Sequence, residues 1–163
     1  MTHTVFTVGY GKWPAAKRGE KLLAALKAAG VELLVDIRHS PCSSALDPNN
    51  TYGPKETNLQ AGDAGIVPLL TRGGVGYLWV VELGNPQKND PAMRVLKEHL
   101  AAPPDADWPV ARGLELVKGL VLGGKRVALL CACAKYADCH RKPVAEALLA
   151  LLPEGTGHRD LSE

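Results

Sequence analysis

Two stretches, ELLVDIR (Glu32–Arg38) and KRVALLCA (Lys125–Ala132), are apolar at most successive positions rather than at every second one. A strand with one solvated face alternates between apolar and polar residues. A strand apolar throughout is covered on both faces, as in parallel sheets whose crossover helices lie above and below. Around these two runs, strand-like and helix-like segments take turns along the chain. TVFTVGY is β-branched and aromatic and stops at glycine, so it reads as a first strand. AAKRGEKLLAALKAAG carries apolar residues at helical spacing, with Gly30 as its stop. A short helix is expected within Leu59–Leu70, and VGYLWVVEL reads as a further strand. Helices follow in PAMRVLKEHLAA, entered through Pro91, and in PVARGLELVKGLVLGG. HRKPVAEALLALL is the last long helix, and a short final strand is expected near His158–Leu161.

This order predicts an α/β fold: a largely parallel sheet of about four or five strands with helices on both faces. The 163 residues fit one domain with a single sizeable core, spanning 1–163. The opening MTHTVFTVGYG lacks the charged start and long apolar run of a signal peptide, and no apolar run reaches membrane-spanning length. A cytoplasmic protein with no membrane partner is therefore expected. The net charge of +2 and 5% aromatic content make nucleic acid the weakest class of partner. In a reducing compartment, clustered cysteines are reduced, metal-bound or catalytic rather than disulfide-bonded.

Ligands of open parallel sheets bind beyond the carboxyl ends of the strands. That rule brings GYGK, DIRHSPCSS, ELGNP and CACAKYADCHR to one rim, and the unusual residues lie there. Cys131, Cys133, Cys139 and His140 fall within ten residues. One reading is an anion site. A buried strand ends at Cys131 and a helix begins near Cys139, where free backbone N–H groups and the positive dipole end attract anions. Arg141 adds a guanidinium suited to an oxyanion, and such surroundings lower a thiol pKa. On this reading Cys139 is the nucleophile, His140 an acid/base group, and Arg38 and Arg141 hold the anion. The expected ligand is an anionic small molecule or nucleotide, and no cofactor is required. The alternative is a zinc module through Cys131, Cys133 and Cys139, although C-x-C-x5-C-H departs from the usual C-x2-C pairs. Packing is a third account, above all for Cys131 and Cys133, because free cysteine behaves as a small apolar side chain.

Asp36 and Arg38 share strand parity about 7 Å apart. They form either an ion-paired anchor or a catalytic pair in which Asp36 orients an arginine. His140 could instead bond a loop carbonyl, and Arg141 could pair with Asp36 or Asp138. Ser40, Ser43 and Ser44 sit in no G-x-S-x-G elbow, and nothing near Cys42 signals activation. Gly9 and Tyr10 belong to a VGYG turn that could also cradle a phosphate but lacks the full glycine pattern. Tyr77 and Trp79 are core or pocket aromatics, and Glu82 is a general base or a partner of Arg38 or Arg141.

Taken in order, TVGYG, LVDIRHSP, YLWVVELGNP and ALLCACAKYADCHRKPVAEAL resemble the family called domain of unknown function 488, from Thr7 to about Leu152. The resemblance implies a small cytoplasmic bacterial protein without an established biochemical role. It also implies functional positions at Asp36, Arg38, Cys131, Cys139, His140 and Arg141. Members often carry an acidic residue two positions after the strand-ending cysteine; here that position is Cys133. A weaker likeness of layout connects the chain to rhodanese-like and cysteine-phosphatase domains, but there is no C-x5-R run.

Overall fold

The structure, a computed structural model, describes residues 2–38, 65–84, 93–101 and 109–162. At its centre lies the second of the two apolar runs, now β4 (Val127–Cys131), with all five residues buried. On one side it pairs with β1 (Thr4–Gly9) and on the other with β2 (Leu33–Asp36). The outer strands are β3 (Gly76–Trp79) beside β2 and β5 (Gly157–Asp160) beside β1. The order is β3-β2-β4-β1-β5 and every pairing is parallel. The predicted α/β architecture is therefore the one observed, with five strands.

Residues of each strand alternate between two cores, as the period of two requires. Val5, Val35, Ile37, Val127 and Leu129 face α3 (Arg94–Ala101), α4 (Pro109–Leu122) and α5 (Arg141–Leu151). Phe6, Val8, Leu34, Ala128 and Leu130 face α1 (Arg18–Ala28) and α2 (Ile66–Arg72). Leu22 and Leu26, one helical turn apart, supply the buried stripe of α1. That helix ends as expected at Gly30, whose φ of 70° is the left-handed conformation of a helix stop, while Val31 N–H reaches back to Leu26 O at 2.9 Å.

The third strand is shorter than VGYLWVVEL predicts. Its partner β2 ends at Asp36, whose register mate is Trp79, so the ladder runs out there. After a last bond from Val80 N–H to Asp36 O, the chain turns into a 3-10 segment at Val81–Leu83. The expected helix in Leu59–Leu70 appears as Ile66–Arg72, and its first part lies outside the described residues, as do Ser40, Cys42, Ser43 and Ser44. The final strand runs one residue earlier than expected. No helix among the described residues is long and apolar enough to cross a membrane.

Candidate functional site: a three-cysteine cluster beyond β4

The carboxyl ends of β1, β2 and β4 do carry the unusual residues, but strand parity divides them between the two faces of the sheet. Asp36, Arg38 and Tyr10 share parity with the residues facing α1 and α2. Cys131 shares parity with Val127 and Leu129, toward α5. Two clusters result, with the backbone of Ile37 between them.

On the first face Asp36 and Arg38 form a buried ion pair, 0% and 2% exposed. Arg38 Nη2 donates to Asp36 Oδ2 at 2.6 Å, and Nε donates to Oδ1 at 2.9 Å. Tyr77 O–H donates to the same carboxylate at 2.6 Å, and the Arg38 amide adds a bond to Oδ1 at 3.0 Å. Arg38 Nη1 donates to Tyr10 Oη, while Trp79 Nε1 donates to the Arg38 carbonyl. Burial alone would lower the Arg38 pKa, but the Asp36 carboxylate reverses this and holds it above its ordinary value. Burial, then Asp36, pushes the Tyr77 hydroxyl up, so it remains a donor. Aromatic residues that the sequence offered as core or pocket thus serve as hydrogen-bond partners of an anchored pair. The orientation of the Arg38 guanidinium is fixed by Asp36 and Tyr10.

On the second face Cys131, at the end of β4, lies with Cys133 and Cys139 so that all three sulfurs are within 4.8 Å of one another. All three are free thiols. Cys131 Sγ is 3.8 Å from Cys133 Sγ and 3.2 Å from His140 Nδ1. Cys139 Sγ is 4.0 Å from the same nitrogen. The other ring nitrogen, Nε2, lies 2.7 Å from Ile37 O. A carbonyl can only accept, so Nε2 carries the proton of that bond and Nδ1 faces the sulfurs. Ile37 is placed by its own N–H, which donates to Leu130 O beside Cys131.

The start of α5 is closed by its own chain. Arg141 N–H donates to Cys139 Sγ at 3.4 Å and Lys142 N–H to Cys139 O at 3.1 Å. Pro143 has no N–H, and Val144 N–H donates to His140 O at 3.2 Å. The donors that a helix start offers to an anion are here turned onto Cys139 and His140. Arg141 itself is 0% exposed. Its Nη1 donates to Cys133 O at 2.9 Å, and its Nη2 donates to Asp160 Oδ2 and Ser162 Oγ. Only Nε, among the described residues' buried side-chain nitrogens and oxygens, has no partner. Gly9 lets the guanidinium lie against β1: a Cβ there would fall 2.1 Å from both Arg141 Nη1 and Cys133 O. Gly11 is filled in the same way by Ala132 O and Ala134 N. The VGYG turn therefore receives the cysteine loop, where the sequence also allowed a phosphate.

The electrostatics follow from depth. Burial, reinforced by Cys133, pushes the Cys131 thiol up to about 12. Cys139, the sequence candidate for nucleophile, is 0% exposed and burial holds its thiol well above the ordinary value. Cys133 lies on the loop and is half-buried. Hydrogen bonds from Cys131 and Cys139, with the charges of His140 and Arg141, bring it down to about 3. Burial opposes charge on His140, but its contact with the Cys139 sulfur outweighs this and raises its pKa. Among the three sulfurs, negative charge is thus favoured on the half-buried Cys133 and opposed on the deeper Cys131 and Cys139.

Asp160 and Ser162 were not singled out from the sequence. The local signal is Asp-x-Ser, in which an aspartate bonds backbone and hydroxyl two residues on. Asp160 Oδ1 accepts from Ser162 N–H at 3.0 Å and from its Oγ–H at 2.6 Å. Their reach to Arg141 requires knowing that β5 lies beside β1. Arg141 takes Asp160 as its carboxylate partner and Arg38 takes Asp36. Glu82 is half-buried in the 3-10 turn after β3. Burial would raise the Asp160 pKa, but Ser162 and then Arg141 hold it below its ordinary value. Its contribution to stability is complete above the unfolded pKa of about 3.9 and is lost as pH falls through the lower folded value. Asp160→Asn is expected to be less stable than the parent at neutral pH. The gap should narrow through that acid window in urea melts; a constant gap would show that the charge of Asp160 contributes nothing.

No curated protein and no solved structure matches the chain. A family match does exist, and it runs from the first residue of α1 into α5, across β2, β4 and the whole cysteine cluster. Residues 18–148 match the domain of unknown function DUF488, and the chain belongs to that family.

Proposed function

We propose that this protein is a metal-binding α/β domain, holding a zinc ion through Cys131, Cys133, Cys139 and His140. The observation that carries the reading is the gathering of three free sulfurs within 4.8 Å of one another, with His140 Nδ1 beside two of them. A tetrahedron with Zn–S bonds of about 2.3 Å has edges of about 3.8 Å. The Cys131–Cys133 separation is 3.8 Å, and His140 Nδ1 lies 3.2 and 4.0 Å from Cys131 and Cys139. The bond from His140 Nε2 to Ile37 O is the outer contact that orients a metal-binding histidine and fixes its tautomer. The Arg141 amide and guanidinium supply the positive counterpart that three thiolates on one dication call for. Thiolate and imidazole donors favour zinc over the harder cations bound by oxygen.

The test is metal analysis of protein purified under reducing conditions without added metal. About one equivalent of zinc is expected, with Cys139→Ser and His140→Ala each losing most of it. Metal-free protein that also fails to take up added zinc would end this reading.

A second reading keeps the anion site, with Cys139 as nucleophile or anion donor and an anionic small molecule or nucleotide as ligand. The unpartnered, buried Nε of Arg141 favours it. The engagement of Arg38 with Asp36 and Tyr10, and of the α5 amides with Cys139 and His140, weighs against it. Phosphate that raises the melting temperature of the parent but not of Arg141→Ala would support it, and an equal shift in both would remove it.

A further inference from the structure

We infer that the cysteine cluster is a peroxide-sensitive centre in which Cys133 and Cys131 join as a disulfide and release the metal. This inference rests on the zinc reading above and adds what regulates that site. Three observations carry it. The sulfurs differ in access: Cys133 is half-buried on the loop, Cys131 is 4% exposed, and Cys139 is 0% exposed. The most accessible of the three, on Cys133, has a second sulfur 3.8 Å away, close enough to close a bond of about 2.04 Å with a modest shift of the loop. The deepest sulfur, on Cys139, accepts a hydrogen bond from the Arg141 N–H at 3.4 Å.

The chemistry balances with hydrogen peroxide as the named oxidant. Cys133 sulfur attacks one peroxide oxygen; an S–O bond forms, the O–O bond breaks, and the second oxygen leaves as hydroxide, which takes a proton to become water. The product is a sulfenic acid. Cys131 sulfur then attacks the sulfenic sulfur; an S–S bond forms, the S–O bond breaks, and the leaving oxygen departs as a second water. Two sulfurs supply both electrons, because zinc is redox-inert. With two thiolates gone, the site retains Cys139 and His140, too few donors for a structural zinc.

The sequence supplies a direct readout. Trypsin cleaves after Arg126, Lys135 and Arg141, which puts Cys131 and Cys133 in one peptide, 127–135, and Cys139 in the next, 136–141. Zinc-loaded protein carrying Cys42→Ser is treated with hydrogen peroxide, zinc is followed with a chromogenic chelator, and the non-reduced digest is weighed. The expected result is zinc release in step with loss of two hydrogens from peptide 127–135, reversed by a thiol reductant. Cys133→Ser should slow peroxide-driven oxidation of the cluster about tenfold or more, since the remaining sulfurs are the buried ones. A cross-link between 127–135 and 136–141, sulfinic acid on Cys133 without a disulfide, or retained zinc in excess peroxide would each overturn the inference. The metal-free protein and Cys139→Ser are run beside it. A disulfide within 127–135 in protein that never binds zinc would end the zinc reading and leave the thiol pair standing. Zinc bound without that disulfide would do the reverse.

Discussion

Asp36→Ala will lower the unfolding free energy by about 3–5 kcal/mol, enough to unfold much of a marginally stable domain. The Asp36 carboxylate accepts from Arg38 Nε and Nη2, from the Arg38 amide and from Tyr77 O–H, all in a pocket where it is 0% exposed. Truncation strands a guanidinium that is 2% exposed, and it leaves a phenol O–H without its acceptor. The cost comes from what remains charged and buried, so it should shrink when the arginine goes too. Asp36→Leu with Arg38→Met is expected to be markedly more stable than Asp36→Ala, since buried ion pairs are often replaced by apolar residues at little cost. Chemical denaturation of the three proteins checks this. A fully stable Asp36→Ala would show that the pair is not an anchor and return it to the catalytic role that the sequence equally allowed.

That pair also shows how far the sequence reaches. Asp-x-Arg at the end of an apolar run announces a buried charge needing a partner, and period two places both side chains on one face. The same rule places Cys131 on the other face, since Ile37 rather than Asp36 shares its core. Strand order was the missing information. Only with β4 seated between β1 and β2 does Ile37 O meet His140, Gly9 meet Arg141, and β5 bring Asp160 to the same guanidinium. The C-x-C-x5-C-H spacing argues against a metal because it departs from the usual C-x2-C pairs. In the fold the 3-10 turn at Tyr136–Asp138 and the start of α5 bring Cys139 and His140 back toward Cys131, the imidazole nitrogen at 3.2 Å. Patterns built on two-residue spacings inside one knuckle do not describe a site assembled from a strand end and a helix start. The helix start itself was legible as a place of free donors, but not that Cys139 would take them.

Gly9→Ala and Gly119→Ala, the same change at two glycines, will move stability in opposite directions. At Gly9 a Cβ would lie 2.1 Å from Cys133 O and 2.1 Å from Arg141 Nη1, with Arg141 Cζ at 2.7 Å. Neither neighbour can yield cheaply. Cys133 O belongs to the backbone of the cysteine loop, and the guanidinium is tied to Asp160, Ser162 and that same carbonyl. Overpacking of this kind costs about 1–3 kcal/mol and more where backbone must move, so about 3 kcal/mol or above is expected. The displaced loop carries Cys133, so zinc retention should fall with stability, an effect that mere loss of packing elsewhere would not produce. At Gly119, within α4, nothing lies within 4 Å of the added carbon. Alanine there restricts the unfolded chain and favours the helix, so stability should rise by about 1 kcal/mol with zinc unaffected. Thermal melts and metal analysis of the two variants decide the matter. Equal behaviour of both would mean that β1 does not press against the cysteine loop, and with that the geometry of the whole cluster would have to be redrawn. Loss of zinc from Gly9→Ala alone ties a residue more than 120 positions away in sequence to the metal through one missing methyl group.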